Sequence, residues 1–386
     1  MIVLAWIIWL SLGFLAYHYL VYPLAVILLA RNAGKSPAAM DEAHWPRVSL
    51  IVAAYNEEKV IGRKVANSLE LNYPRDRLEI IVVSDGSNDN TMSIVAGYAD
   101  RGVISMHEPA RRGKTAALNR GVAAANGEIV LFSDANNDYN PEAVRALVRH
   151  FSDPTVGGVC GLKRIREAPD RESSAGDSLY WRYESAIKLA ESRLGSITNG
   201  DGEIFAIRRS LYESMDETVI NDDAELTLLM IKRGYRILYE TAAESYEYAS
   251  IEIRDDFFVK VRMVAGGFQT IARHAAFLLP PRSWFTFAFF SHKILRWIAP
   301  VFLIAMLLST LVVSLVSFDP LYCIFLGGQL AFYALATLGW IMRKRPHLPT
   351  LLYVPFYFCA MNTAAFFGLM RHLRRTQQVQ WRKAKR

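Results

Sequence analysis

Gly127-Glu-Ile-Val-Leu-Phe-Ser-Asp-Ala-Asn-Asn-Asp138 is the stretch that decides how this chain is read. Ile129 to Phe132 is a short apolar run of the kind a strand buried on both faces shows. It stops abruptly in Ser133, Asp134, Asn136, Asn137 and Asp138. α/β sheets bind ligands at the carboxyl ends of their strands, so a buried strand that delivers carboxylates and amides there is building a site. Clustered oxygen donors suit a hard cation such as Mg²⁺ or Mn²⁺, and such a cation suits a diphosphate. Asp and Asn are also common turn formers, so a plain polar loop explains the same letters. The flanking segments decide between the two.

Upstream, Arg47 to Ala54 reads as a first strand, followed by Tyr55-Asn56-Glu57-Glu58 and a helix over about 57–71, which Asn56 can cap. Leu78 to Val83 is a second strand ending in Ser84-Asp85-Gly86-Ser87-Asn88-Asp89, with a helix over about 89–99. Val103 to Met106 is a third, and Arg111-Arg112-Gly113-Lys114-Thr115 opens a helix over about 114–125. Strand and helix alternate with short connections, which predicts an α/β fold with a mostly parallel sheet and helices on both faces. Two strands then end in acidic clusters on one edge, around Asp85 and around Asp134. Asp85 can accept hydrogen bonds from a ribose or a base; it can equally cap a helix, a job for which Asp89 is as well placed. No Gly-x-Gly-x-x-Gly follows the first strand, which disfavours a dinucleotide site. Gly113-Lys114-Thr115 ends like a phosphate loop, but position 108 is Glu, so the ATPase reading is rejected.

The apolar residues, 52% of the 386, gather at the two ends. Residues 1–30 contain no Asp, Glu, Lys or Arg and are long enough to span a bilayer, which takes roughly 20 apolar residues. Without a basic start they predict a retained helix, not a cleaved leader. Further spans are expected at 298–317, 321–342 and 347–370, preceded by an interfacial helix at 281–297 and followed by a basic tail, 371–386. The polar block, 31–280, is placed in the cytoplasm by Arg31 and Lys35. Three full C-terminal crossings would then put the basic tail outside, against the positive-inside rule; a re-entrant or interfacial 347–370 removes the conflict. The net charge of +7 owes much to that tail and is membrane-adjacent charge, with no nucleic-acid patch on the polar block. Cys160, Cys323 and Cys359 show no metal spacing and read as apolar filler.

Four ordered segments resemble the signatures of the family-2 glycosyltransferases: Ala54-Tyr55-Asn56-Glu57, Ser84-Asp85-Gly86-Ser87-x-Asp89-x-Thr91, Gly113-Lys114-x-x-Ala117-Leu118-Asn119-x-Gly121 and Asp134-Ala135-Asn136. The resemblance covers about 47–270. The membrane layout is similar to the branch holding the chitin-oligosaccharide, hyaluronan, cellulose and poly-N-acetylglucosamine synthases. It implies a GT-A domain with transmembrane helices, and an inverting hexosyl- or N-acetylhexosaminyltransferase. That enzyme uses a nucleotide-diphosphate sugar, a UDP-sugar foremost, at a bacterial-type inner membrane. Its acceptor is a growing polysaccharide or a polyprenyl-linked glycan.

The resemblance also assigns roles. Ala54, Tyr55, Glu57 and Asp85 fall on the nucleoside side, and Lys114 on the nucleotide or its phosphates. Asp134 and Asn136 fall on the Asp-x-Asp metal motif for Mg²⁺ or Mn²⁺, with Asn where the family has its second Asp and with Asp138 nearby. Val219-Ile-Asn-Asp-Asp-Ala-Glu-Leu226 resembles Thr-Glu-Asp-x-Asp-Leu, which makes Asp223 the general base. In the family a small-residue loop lies against the acceptor, here Gly200, Asp201 and Gly202; an ordinary turn accounts for it equally. Where processive members carry Gln-x-x-Arg-Trp, only Arg262 matches, which makes single or limited transfer at least as apt as long polymerisation. The competing reading from another class is a catalytically weak, nucleotide-binding subunit of a synthase complex. A transporter ranks last, because the spans lack a repeat and carry no acidic residue beyond Asp319 at a loop.

Overall fold

Val48–Ala54 (β1) forms the middle of a sheet whose neighbours are set by which segments can be apolar on both faces. The computed structural model describes residues 1–33, 45–166, 175–248, 253–343, 345 and 348–377. Lys35 and residues 378–386 of the basic tail therefore lie outside the described residues. β1 is followed by α2 (Ile61–Leu69), β2 (Leu78–Asp85), α3 (Thr91–Ala96), β3 (Val103–Glu108), α4 (Lys114–Ala124) and β4 (Ile129–Asp134), with α1 (Ile2–Ala30) preceding them. β3, β2, β1 and β4 pair in parallel in that order, so Ala54, Asp85 and Asp134 all arrive at one edge.

The sheet continues in a way the alternation did not show. After β5 (Asn137–Tyr139), α5 (Ala143–Val148), β6 (Val156–Arg166) and α6 (Ala175–Leu194), β7 (Phe205–Arg208) inserts antiparallel between β4 and β6. β8 (Arg236–Tyr248), reached through α7 (Asp222–Lys232), pairs parallel with β6 and antiparallel with β5. The eight strands run β3-β2-β1-β4-β7-β6-β8-β5, a mixed sheet with four parallel and three antiparallel pairings.

Helices cover both faces. Ile61 and Val65 of α2 and Val95 of α3 pack with Leu50, Val52 and Leu131 on one side. Ala117, Leu118 and Val122 of α4 and Leu226 and Met230 of α7 pack with Ile51, Val83 and Phe132 on the other. α4 lies close to the sheet because residue 121 is Gly; a Cβ there would come within 2.7 Å of Ile51. Each such large apolar side chain, fully buried, contributes about 1.5–3 kcal/mol.

α8 (Ile253–Arg273) leads to α9 (Trp284–Ser317), α10 (Pro320–Met342) and α11 (Thr350–Leu373). α1, α9, α10 and α11 are long and apolar enough to cross a membrane. The segment expected as a separate interfacial helix runs into the following span without a break, as α9. α1 packs on α9, with Phe14 and Phe302 stacked at 3.8 Å. Its last turns pack on the polar block instead: Tyr22, Val26 and Ala30 meet Ile187 and Ala190 of α6 and Ala288 of α9. The last turns of α11 lie on α8, where a Cβ on Gly368 would be 2.7 Å from Val264 and His372 stacks on Phe268.

Candidate active site

The loops after β1 and β2 are locked together by side-chain amides. Asn56, left-handed at φ 53, does not cap a helix. Its Nδ2 donates to Asn88 Oδ1 at 2.8 Å, and the Asn88 N–H returns a bond to Asn56 Oδ1 at 2.9 Å. The Glu57 N–H donates to Thr91 Oγ1 and the Glu58 N–H to Asp89 Oδ2. The Arg111 guanidinium lies 3.8 Å over the Tyr55 ring. Asp85 is 1% exposed, and its carboxylate accepts from the Arg112 and Gly113 N–H groups at 3.1 and 2.6 Å. It thus fixes the turn from which Lys114 projects, while Asp89 takes the local capping bonds, from the N–H and hydroxyl of Thr91. Ala54 is buried at the end of β1.

Lys114 stands at the centre. Its Nζ is 2.7 Å from Asp134 Oδ1 and 3.7 Å from Asp222 Oδ2. Burial disfavours its charge, but Asp134 and Asp222 outweigh that and hold its pKa above the ordinary lysine range. Asp222 and Asp223 open α7, where acidic residues suit the positive helix end. Asp223 Oδ1 accepts from the Ala224 N–H at 2.8 Å, and Asn199 Nδ2 lies 3.4 Å from Oδ2. Burial first, then the charges of Asp222 and Asp201, push the Asp223 carboxyl up to about 6. A carboxylate poised there can accept a proton near neutral pH.

The loop bearing Gly200, Asp201 and Gly202 connects these groups. A Cβ on Gly202 would sit 3.2 Å from both Lys114 Nζ and Asp222 Oδ2, and one on Gly200 3.0 Å from the Phe205 ring. The Gly200 N–H donates to Thr227 Oγ1, and Asp201 pairs with the buried Lys188 at 2.7 Å. Cys160 is more than filler here, since its Sγ accepts from the Asp201 N–H at 3.1 Å. Arg262 on α8 reaches the carbonyl of Ile220 at 3.5 Å, two residues before Asp222.

The metal motif divides. Asn136 Nδ2 donates to Glu247 Oε1 at 2.9 Å. Glu247 can only accept, so the amide nitrogen must face it and the amide oxygen is the other end. Asp134 and Asn136 each carry an oxygen of the kind a hard cation takes, although Asp134 Oδ1 is paired with Lys114 and, among the described residues, no group of three or more His, Cys, Asp or Glu is placed to hold a metal. Asp138 pairs with Arg63 at 3.2 Å, while its neighbour Asn137 bonds to Lys64 and Ser245. Asp222, Lys188 and Glu247 escaped the sequence reading. Asp222 lies in the quoted motif, where the resemblance assigns a role only to Asp223, and Lys188 and Glu247 become partners only through pairings of distant chain.

Residues 49–215 match the model of the family described as glycosyl transferase family 2. The chain carries a family-2 glycosyltransferase domain. It is 33% identical over 234 residues to the probable glycosyltransferase YdaM of Bacillus subtilis (strain 168), covering 56% of this chain and 54% of that protein. It is 28% identical over 234 residues to the poly-beta-1,6-N-acetyl-D-glucosamine synthase of Staphylococcus aureus (strain COL), covering 58% and 56%. The chain thus spans about half the length of these curated relatives. The mannosyltransferase PcManGT from Pyrobaculum calidifontis, solved with GDP-Man and Mn²⁺, shares the fold with a TM-score of 0.74. That match is 23% identical and covers 96% of this chain and 99% of that one. The family-2 domain holds every site element from β1 to the Gly200–Gly202 loop, while Asp222, Asp223 and Arg262 lie beyond the matched residues.

Proposed function

We propose that this glycosyltransferase moves a sugar, with inversion, from a nucleotide-diphosphate donor to a glycan or polyprenyl-linked acceptor at the membrane, in surface polysaccharide synthesis. The observation that carries the reading is the meeting of Lys114, Asp134 and Asp222 beside Asp223, with a glycine, Gly202, where a side chain would fill the space between them. Tyr55, Glu57 and the Asp85-held turn receive the nucleoside. Lys114 and Arg262 offset the charge of the diphosphate. Asp134 and Asn136 would hold Mg²⁺ or Mn²⁺, which would supply Lewis-acid stabilisation of the leaving diphosphate. Asp223 takes the proton of the acceptor hydroxyl as its oxygen bonds to the anomeric carbon. The bond to the diphosphate oxygen breaks on the opposite face, and the nucleoside diphosphate leaves. A direct displacement of this kind inverts the anomeric carbon and needs one base. A UDP-sugar is the donor to try first, given the poly-N-acetylglucosamine synthase relative.

Purified protein in detergent with Mn²⁺, offered a panel of nucleotide sugars, tests this. Turnover of one donor that Asp223→Asn abolishes supports it, and no transfer or hydrolysis of any donor overturns it. The packing of α11 on α8 also supports a tail on the catalytic, cytoplasmic side, with the unbroken helix 350–373 lying at the interface instead of crossing. Labelling of a cysteine placed at Gln377 from the outer face of intact cells would refute that arrangement.

A further inference from the structure

A buried ionic cluster lies where α1, α6 and α9 converge, away from the reacting groups. Glu191 on α6 is 0% exposed. Its Oε1 accepts from the Tyr22 hydroxyl of α1 at 2.8 Å and lies 2.8 Å from His292 Nδ1 of α9. Its Oε2 accepts from the Thr198 hydroxyl at 3.2 Å. The other ring nitrogen of His292 is 3.2 Å from Glu184 Oε2, and Glu184 also receives Lys293 at 2.8 Å and Arg296 at 2.5 Å. Glu184, Lys188 and Glu191 follow helical spacing, so one face of α6 carries all three.

Stability alone does not call for such a cluster, because buried ion pairs are often matched by apolar residues of similar volume. What they supply is a fixed geometry, and here that geometry leads to the site. Thr198 is 0% exposed and precedes the residue that faces the base. Asn199 Nδ2 is 3.4 Å from Asp223 Oδ2, and the Gly200 N–H bonds to Thr227 Oγ1, which itself donates to the Asp223 carbonyl at 2.8 Å. Lys188 holds Asp201 on the next step of the loop. The loop is pinned to α6 on one side and to α7 on the other.

We propose that Thr198 is a positioning residue: Glu191, itself oriented by Tyr22 and His292, holds its hydroxyl, and this sets the Asn199–Gly200 loop against Asp223, so that the seating of α1 and α9 fixes the alignment of the base. The inference rests on Asp223 being the base. Thr198 touches no reacting atom; it acts through Asn199 and Gly200.

The test uses the full chain in detergent, with the donor found by the panel above. Thr198→Val keeps the side-chain shape and removes the hydroxyl; Thr198→Ser keeps the hydroxyl and removes a methyl. Thr198→Val is expected to lower kcat about tenfold with donor KM within about twofold, because alignment of the proton acceptor is lost while donor contacts stand. Thr198→Ser is expected to stay within about twofold in both constants. Tyr22→Phe is expected to move kcat in the same direction as Thr198→Val, and it carries the test if Thr198→Val is not recovered folded. A Thr198→Val enzyme as active as wild type, a Ser variant more impaired than Val, or a donor KM that rises as kcat falls overturns the inference. If wild type is active, Asp223→Asn is dead and both Thr198→Val and Tyr22→Phe are unaffected, the inference fails alone. A wild type that turns over no donor overturns the transfer reading and the inference with it.

Discussion

Replacing Asp223 by Asn removes the carboxylate proposed to take the acceptor's proton and also removes a buried charge, and the two effects have opposite signs. Burial, then Asp222 and Asp201, hold the Asp223 carboxyl at about 6, against 3.8 for an isolated Asp. The folded value lies above the unfolded one, so between about pH 4 and pH 6 the native state binds more protons, and stability falls as pH rises through that window. Above the window the charged group costs roughly 3 kcal/mol, from about two pH units at 1.36 kcal/mol each. The Asn side chain has nearly the same shape and no charge. At pH 8 Asp223→Asn should therefore be more stable by roughly 1–3 kcal/mol, the lower end allowing for the partial exposure of the site. Thermal unfolding in detergent should show a higher midpoint for the variant at pH 8 and a gap that closes by pH 4. Transfer should fall about 10²–10⁴-fold, the span general-base catalysis contributes. The wild-type rate should itself drop about tenfold per pH unit below about 6. A variant that melts no higher than wild type at pH 8, or that keeps more than about a tenth of the activity, would refute the electrostatic account of the base.

Asn136→Asp would set a carboxylate against Glu247, whose Oε1 now accepts from Asn136 at 2.9 Å. The single variant should unfold earlier in EDTA and be rescued by Mn²⁺, whereas Asn136→Asp with Glu247→Gln should regain stability and saturate at lower Mn²⁺, read by titrating activity with the metal. Gly202→Ala places a methyl 3.2 Å from Lys114 Nζ and Asp222 Oδ2; steady-state kinetics should show a donor KM raised several-fold, on the order of 1 kcal/mol of lost contact, with the melting temperature little changed. Burial raises the Glu240 carboxyl, but bonds from His150, the Ala242 N–H and Arg149 outweigh it and hold it at about 2. Its folded value is below the ordinary one, so its contribution is present above about pH 4.5 and fades toward pH 2; Glu240→Gln should cost roughly 1–3 kcal/mol at pH 7 and less at pH 3, by unfolding at both.

The parallel half of the sheet was legible because β1, β2 and β4 are apolar on both faces and end in polar clusters, a local pattern. The antiparallel entry of β7 was not, because Phe205–Arg208 reads as any apolar strand and its place beside β4 depends on the chain returning from α6. Lys114 and Asp134 were both picked out, yet the approach of Lys114 to Asp222 joins residues 108 positions apart, which no local pattern encodes. Asp138 reads as a spare ligand because it stands two residues beyond Asn136; its ion pair with Arg63, 75 positions upstream, is a tertiary contact that no local pattern encodes. Asp85 was singled out for the nucleoside, and the structure adds that its oxygens are engaged by the backbone of the Arg112–Gly113 turn.

The packing of α1 on α6 also changes where this protein can be cut. Composition draws the border at residue 31, between an apolar anchor and a polar block. Trimming the chain there would strip Tyr22, Val26 and Ala30 from Ile187 and Ala190, leaving a raw apolar face, and would take the phenol from a carboxylate that has no solvent to replace it. A catalytic fragment prepared by deleting the anchor would be a damaged protein rather than a minimal one. The anchor is a piece of the domain's interior that happens to reach into lipid.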